Sequence, residues 1–234
     1  MQSVTSLEKA LERELPSTPP PSLAEKKPLM RGVLHQIAFF VAFIATAVLV
    51  ATARSTRGAA CAMAFGASLV VLFGVSSLYH RLSWGDAARQ RMRRLDHSAI
   101  FILIAGGYTP LFALVPSSKG DHLALLMVWL GAALGVTKSM AWPRAPKWIT
   151  ALLCVAVGWM VIGQVFDRSA IVGPTTNWIL AASGTTYSFG ALVYATKRPN
   201  PWPRVFGYHE VFHALTIVAS VLLVTHVALV LRHG

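Results

Sequence analysis

Near the C-terminus the chain reads His209-Glu210-Val211-Phe212-His213, an HExxH pattern that can place two zinc-binding histidines and a carboxylate on one helix. Imidazoles at i and i+4 share a helix face, so both can reach one metal ion. In soluble metalloproteases the glutamate is the general base and a third ligand lies downstream. Here Glu210 is the last acidic residue, and Thr216 and Ala219 stand where the extended motif requires Gly and His. A third ligand must therefore come from upstream, and the protease reading loses most of its support.

The elements that position this pair are strongly apolar. The 234 residues are 55% hydrophobic and only 13% charged, against about 25% charged in an ordinary soluble domain. Apolar runs occupy residues 33–53, 58–80, 98–116, 122–142, 148–166, 176–196 and 208–231. Each is ~19–24 residues long, enough to cross a hydrocarbon core of ~30 Å. Buried helices of a soluble bundle would show polar faces, and these runs show none. The expected fold is therefore all-α, a polytopic membrane protein with a seven-transmembrane helix bundle over residues 32–234. Residues 1–31 differ in composition: a short charged segment and a Pro/Ser run suggest a cytoplasmic, largely disordered tail. Cys61 and Cys154 fall within separate runs and are read as packing residues. Trp142, Trp148 and Trp178 lie at run ends, as an aromatic belt requires. Gly131 and Gly135 make a GxxxG pair suited to close helix contact.

The net charge of +12 would suit nucleic acid, but its distribution suits a membrane better. With the N-terminus cytoplasmic, sixteen of the 21 Lys and Arg residues fall on the inside segments, leaving Arg54, Arg57, Lys119, Arg168 and Arg232 outside. That asymmetry gives a cytoplasmic N-terminus and an outside C-terminus. The expected partners are membrane lipids, not nucleic acid.

This topology gathers residues that are distant in sequence. The second run ends inside at His80, the third begins inside after Asp96, and the seventh begins inside with His209 and His213. Ionisable groups at such positions are costly and mark functional sites. His80 can supply a third nitrogen, and Ser76, one turn earlier on the same face, can orient water or a ligand. Three histidines with an open fourth position form a catalytic zinc site, and Asp96 is placed to accept a hydrogen bond from a zinc-bound group or to act as base. His35 can approach this end but is read as an interfacial anchor, and His97 is set aside because it points about 100° from Asp96. His122 and His226 belong to the other end of the bundle.

Three stretches, "SSLYH", "LDHSAIFILIAGGYTPL" and "RPNPWPRVFGYHEVFHALTIVAS", resemble the hemolysin III family, the bacterial branch of the progestin and adipoQ receptors, related to the alkaline ceramidases. The resemblance covers about residues 30–231. It implies seven helices, a cytoplasmic N-terminus and zinc (Zn2+) on three histidines that map onto His80, His209 and His213. Its serine and aspartate map onto Ser76 and Asp96, while Glu210 is not a ligand in the receptor branch.

The leading expectation is an inner-membrane zinc hydrolase of a lipid amide or ester, acting in membrane-lipid homeostasis, with its substrate inside the bundle. One alternative is a non-enzymatic receptor or sensor in which zinc only ties helices together. The other is a cytolytic, pore-forming protein, as the family name suggests.

Overall fold

A computed structural model describes residues 28–116 and 121–233; most of the segment read as a tail, residues 1–27, lies outside the described residues. Among the described residues the long helices are α1 Val33–Thr52, α2 Thr56–Arg81, α3 Asp86–Leu114, α4 Asp121–Ala141, α5 Lys147–Trp159, α6 Pro174–Thr196 and α7 Tyr208–Val230. Short turns Ile162–Phe166 and Ser169–Val172 join α5 to α6. Among the described residues, six segments are long and apolar enough to cross a membrane: α1 to α4, Lys147–Phe166 and α7 with its last turn. The remaining helix, α6, has the length at 23 residues but carries Thr, Ser, Asn and Gly along it.

Chain neighbours pack on one another, α1 on α2, α2 on α3, α3 on α4, α5 on α6 and α6 on α7, while α7 also meets α1 and α3. Two groups of ends result. At one, the Leu29 and Met30 N–H groups donate to the Arg204 and Val205 carbonyls, and Lys147 donates to the Tyr208 hydroxyl at 2.7 Å. At the other, Arg54 reaches the Arg232 carbonyl and Arg168 the Val115 carbonyl.

The third helix starts well before the expected boundary. Residues 86–97, which precede the apolar run 98–116, are the first three turns of α3. Ala, Arg, Gln and Met are good helix formers, so charge moves the membrane boundary without ending the helix. Asp96 therefore lies inside α3, not before it. The fifth run instead breaks after Trp159, beside Gly158, whose carbonyl accepts from the Tyr108 hydroxyl at 2.5 Å. Arg168, counted as an outside loop charge, is fully buried. Its guanidinium sits 4.5 Å from the Phe112 ring centroid and donates to the Val115 and Gln164 carbonyls, tying the turn after α5 to the end of α3.

Close helix contact rests on small residues. A Cβ at Gly135 would lie 2.2 Å from Phe101 Cδ1, and one at Gly106 would lie 2.4 Å from Ser68 Oγ. Gly135→Ala is expected to destabilise the bundle by about 1–3 kcal/mol through overpacking against buried Phe101. A lowered thermal midpoint of the detergent-purified protein would show this; an unchanged midpoint would mean that α3 and α4 can separate freely.

Candidate metal site and its cavity

The two histidines of α7 share a face because they are one turn apart, and α7 begins where the backbone must be capped. The Gly207 N–H donates to Glu210 Oε2 at 2.9 Å, and the Tyr208 N–H donates to Asn200 Oδ1 at 3.0 Å. These bonds satisfy N–H groups that a helix start leaves open. His209 and His213 therefore enter the bundle on a fixed first turn.

From α2, His80 meets them. Ligand nitrogens of His80, His209 and His213 all lie within 4.8 Å of one another, and the Nε2 atoms of His80 and His209 are 3.1 Å apart. Two nitrogens on one tetrahedral zinc, with bonds of ~2.0–2.1 Å, would stand ~3.3 Å apart, so the observed spacing suits a shared ion. The three form a group that could hold a metal ion. Asp96 Oδ2 stands 4.0 Å from the same His80 Nε2, and the Ser76 hydroxyl hydrogen-bonds the Asp96 carboxylate. Asp96 thus faces the nitrogen that points at His209. That geometry favours a place beside a bound reactant over one behind the ring.

A cavity opens from this end. It is lined by His35, Ser76, Asp96, His209 and His213 near the triad and by Leu103, Gly107, Leu180 and Leu223 further in, with Thr150, Cys154 and Tyr194 on the α5 and α6 walls. From His209 to Leu223 the α7 wall alone runs ~21 Å at ~1.5 Å per residue. An acyl chain of one leaflet spans ~15 Å, half the hydrocarbon core.

The model described as Haemolysin-III related matches residues 23–224. The chain belongs to that family. Over 158 residues it is 28% identical to "Hemolysin-3 homolog" of Bacillus subtilis (strain 168), covering 67% of this chain and 70% of that one. It is 24% identical over 201 residues to "Hemolysin-3" of Bacillus cereus, covering 85% and 89%. Family and apolar helices together make this an integral membrane protein of a bacterial plasma membrane. The matched region contains every residue of the site.

Of the residues singled out in sequence, Ser76, His80, Asp96, His209 and His213 come together in this haemolysin-III related fold. His226 stays apart, its Nδ1 2.9 Å from the Thr176 carbonyl oxygen near the other end of the bundle. His35 corrects the sequence reading: it is no interfacial anchor but is only 2% exposed and stacks on His213, with ring centroids 3.8 Å apart and planes 13° from parallel. Its proximity to the triad depends on the rotation of α1, which an apolar run without a polar face does not disclose. His97, set aside, lines the cavity beside Tyr194, whose hydroxyl is 3.5 Å from His97 Nε2.

Glu210, uncertain in sequence, is fully buried and pairs with Arg31 Nε at 2.5 Å. Arg31 is one of the four described residues of the segment read as tail, and the chain just after it lies against the end of α2: a Cβ on Gly32, at φ 80°, would lie 2.8 Å from His80 Cβ. Arg31→Met is expected to cost about 2–3 kcal/mol, below the full penalty of an orphaned buried charge because Arg31 is partly exposed. Adding Glu210→Gln should recover part of that loss. Chemical denaturation of wild type, the two single variants and the double variant measures the coupling; an Arg31→Met protein as stable as wild type would show that the pair contributes nothing.

Proposed function

We propose that this haemolysin-III related protein is a seven-span zinc hydrolase acting on an amide or ester bond of a lipid. The carrying observation is the histidine triad, buried at His209 and His213 and half-buried at His80, at the end of an apolar cavity with a carboxylate and a serine in its wall. Three neutral imidazoles are a donor set suited to zinc. When bound there, zinc supplies Lewis acidity, polarising a carbonyl and acidifying water.

The chain's own residues would do the rest. Asp96 accepts the proton of the attacking water at its carboxylate and returns it to the leaving nitrogen or oxygen. Ser76, by donating to Asp96, holds that carboxylate toward the reacting centre. The apolar walls take the acyl chain and keep bulk water from the bond.

The seven-span reading is supported by α6. The hydroxyls of Thr176, Thr185, Thr186 and Ser188 donate to carbonyls four residues earlier, and Ser183 donates to the Ala219 carbonyl at 2.8 Å. Satisfied hydroxyls make a polar helix tolerable in a bundle. The inside position of the triad rests on the Lys and Arg asymmetry.

Purified protein is expected to hold one zinc per chain and to release fatty acid from some lipid amide or ester. Absence of zinc would overturn the proposal. Zinc without turnover of any lipid would instead favour the sensor reading, in which the ion clamps α2 to α7.

A further inference from the structure

The basic residues at the triad end are not all equivalent. Arg89 and Arg91 are exposed on the first turns of α3, as topological charges are. Arg93, Lys138 and Lys147 are half-buried, and all three act electrostatically on the His97 ring in the cavity wall. Lys138 donates to the Thr150 hydroxyl and acts on Cys154, both lining residues. The Lys147 ammonium lies 4.7 Å from the centroids of the Tyr194 and Tyr208 rings, an arrangement that holds a cation in place by its attraction to aromatic faces.

Among the described residues none of these three cations pairs with a carboxylate. The one carboxylate in the cavity wall, Asp96, stands at the triad and is bonded by Ser76. Three half-buried positive charges therefore stand beside His97, Thr150 and Tyr194 of the cavity wall with no carboxylate paired to them among the described residues, and such charges attract an anion strongly where water is partly excluded. The site is one ring away from the triad, since the Tyr194 and His209 centroids are 6.0 Å apart.

We propose that Arg93, Lys138 and Lys147 form a subsite for the anionic headgroup, phosphate or carboxylate, of a single amphiphile whose acyl chain occupies the cavity. This deepens the proposed function by naming an anionic lipid as its ligand class, and it rests on that reading only for the chemistry performed there. A topological role alone would require the charges but not their placement around His97 and Thr150.

The test uses the full chain in zwitterionic nanodiscs, with binding read by the change in intrinsic tryptophan emission, to which Trp159 contributes from the cavity wall. An oleoyl glycerol phosphate is expected to bind about tenfold more tightly than the uncharged monooleoyl glycerol. Lys138→Gln/Lys147→Gln should abolish the preference and Lys138→Arg/Lys147→Arg should keep it. Arg89→Gln/Arg91→Gln, which removes the same charge from the same end, should leave it intact. Equal binding of both lipids would overturn the subsite, as would loss of preference in the Arg89/Arg91 variant. Inorganic phosphate competing as well as the phospholipid would overturn the amphiphile. Zinc content and lipid turnover enter none of these readouts, so failure of the hydrolase proposal is seen separately.

Discussion

Asp96→Asn is expected to keep its zinc and to lose lipid hydrolysis by about 10²–10⁴-fold, the usual contribution of a positioned general base. Asparagine has the same shape and can still meet the Ser76 hydroxyl, so packing is preserved. It cannot take a proton. The carboxylate is 4.0 Å from His80 Nε2, on the side of the ring that points at His209, where a reactant held by the triad would sit. The measurement is metal content beside kcat on one preparation. Loss of both would make Asp96 a structural residue, and loss of neither would make the base some other group. Glu210→Gln is the paired control: an amide oxygen can still accept from the Gly207 N–H, so turnover should survive there. Collapse of turnover in that variant would restore the protease-like role that HExxH first suggested.

His80→Ala is expected to remove stoichiometric zinc altogether, because two α7 imidazoles alone make a weak site for a metal that takes four ligands. The consequence extends to stability. A metal that binds only the folded state stabilises it by about 2.7 kcal/mol at a hundredfold excess over Kd. Wild-type protein should therefore gain thermal stability on zinc addition, and His80→Ala should not. His226→Ala, a buried histidine bonded near the other end of the bundle, should leave zinc binding unchanged. A zinc-replete His80→Ala protein would mean that His35, stacked on His213, can supply the third nitrogen instead.

Much of this arrangement was legible in the chain as written. Six of the seven expected spans match helices that are long and apolar enough to cross a membrane, because hydropathy is a sum over neighbouring residues. His209 and His213 share a face for an equally local reason, the period of the helix. Placing His80 and Asp96 beside them needed only the rule that consecutive helices alternate in direction, which sends residues far apart in sequence to one end.

Rotation and depth were beyond that rule. An apolar run without a polar face gives no sign of which side turns inward, so His35 read as an anchor although it packs against the triad. Charge before residue 98 set the start of the third run after Asp96, yet a helix can carry arginines through its first turns, and Asp96 lies inside α3. The Thr216 and Ala219 side chains at the downstream motif positions argued against Glu210 as a protease base, but its actual partner, Arg31, is 179 residues away. Sequence alone determined six of the apolar spans and the local spacing of the chemistry. Tertiary structure decided which side chains meet, because contacts between helices depend on how each is turned and how far it slides. Small residues such as Gly106 and Gly135 set that through contacts of a few ångströms.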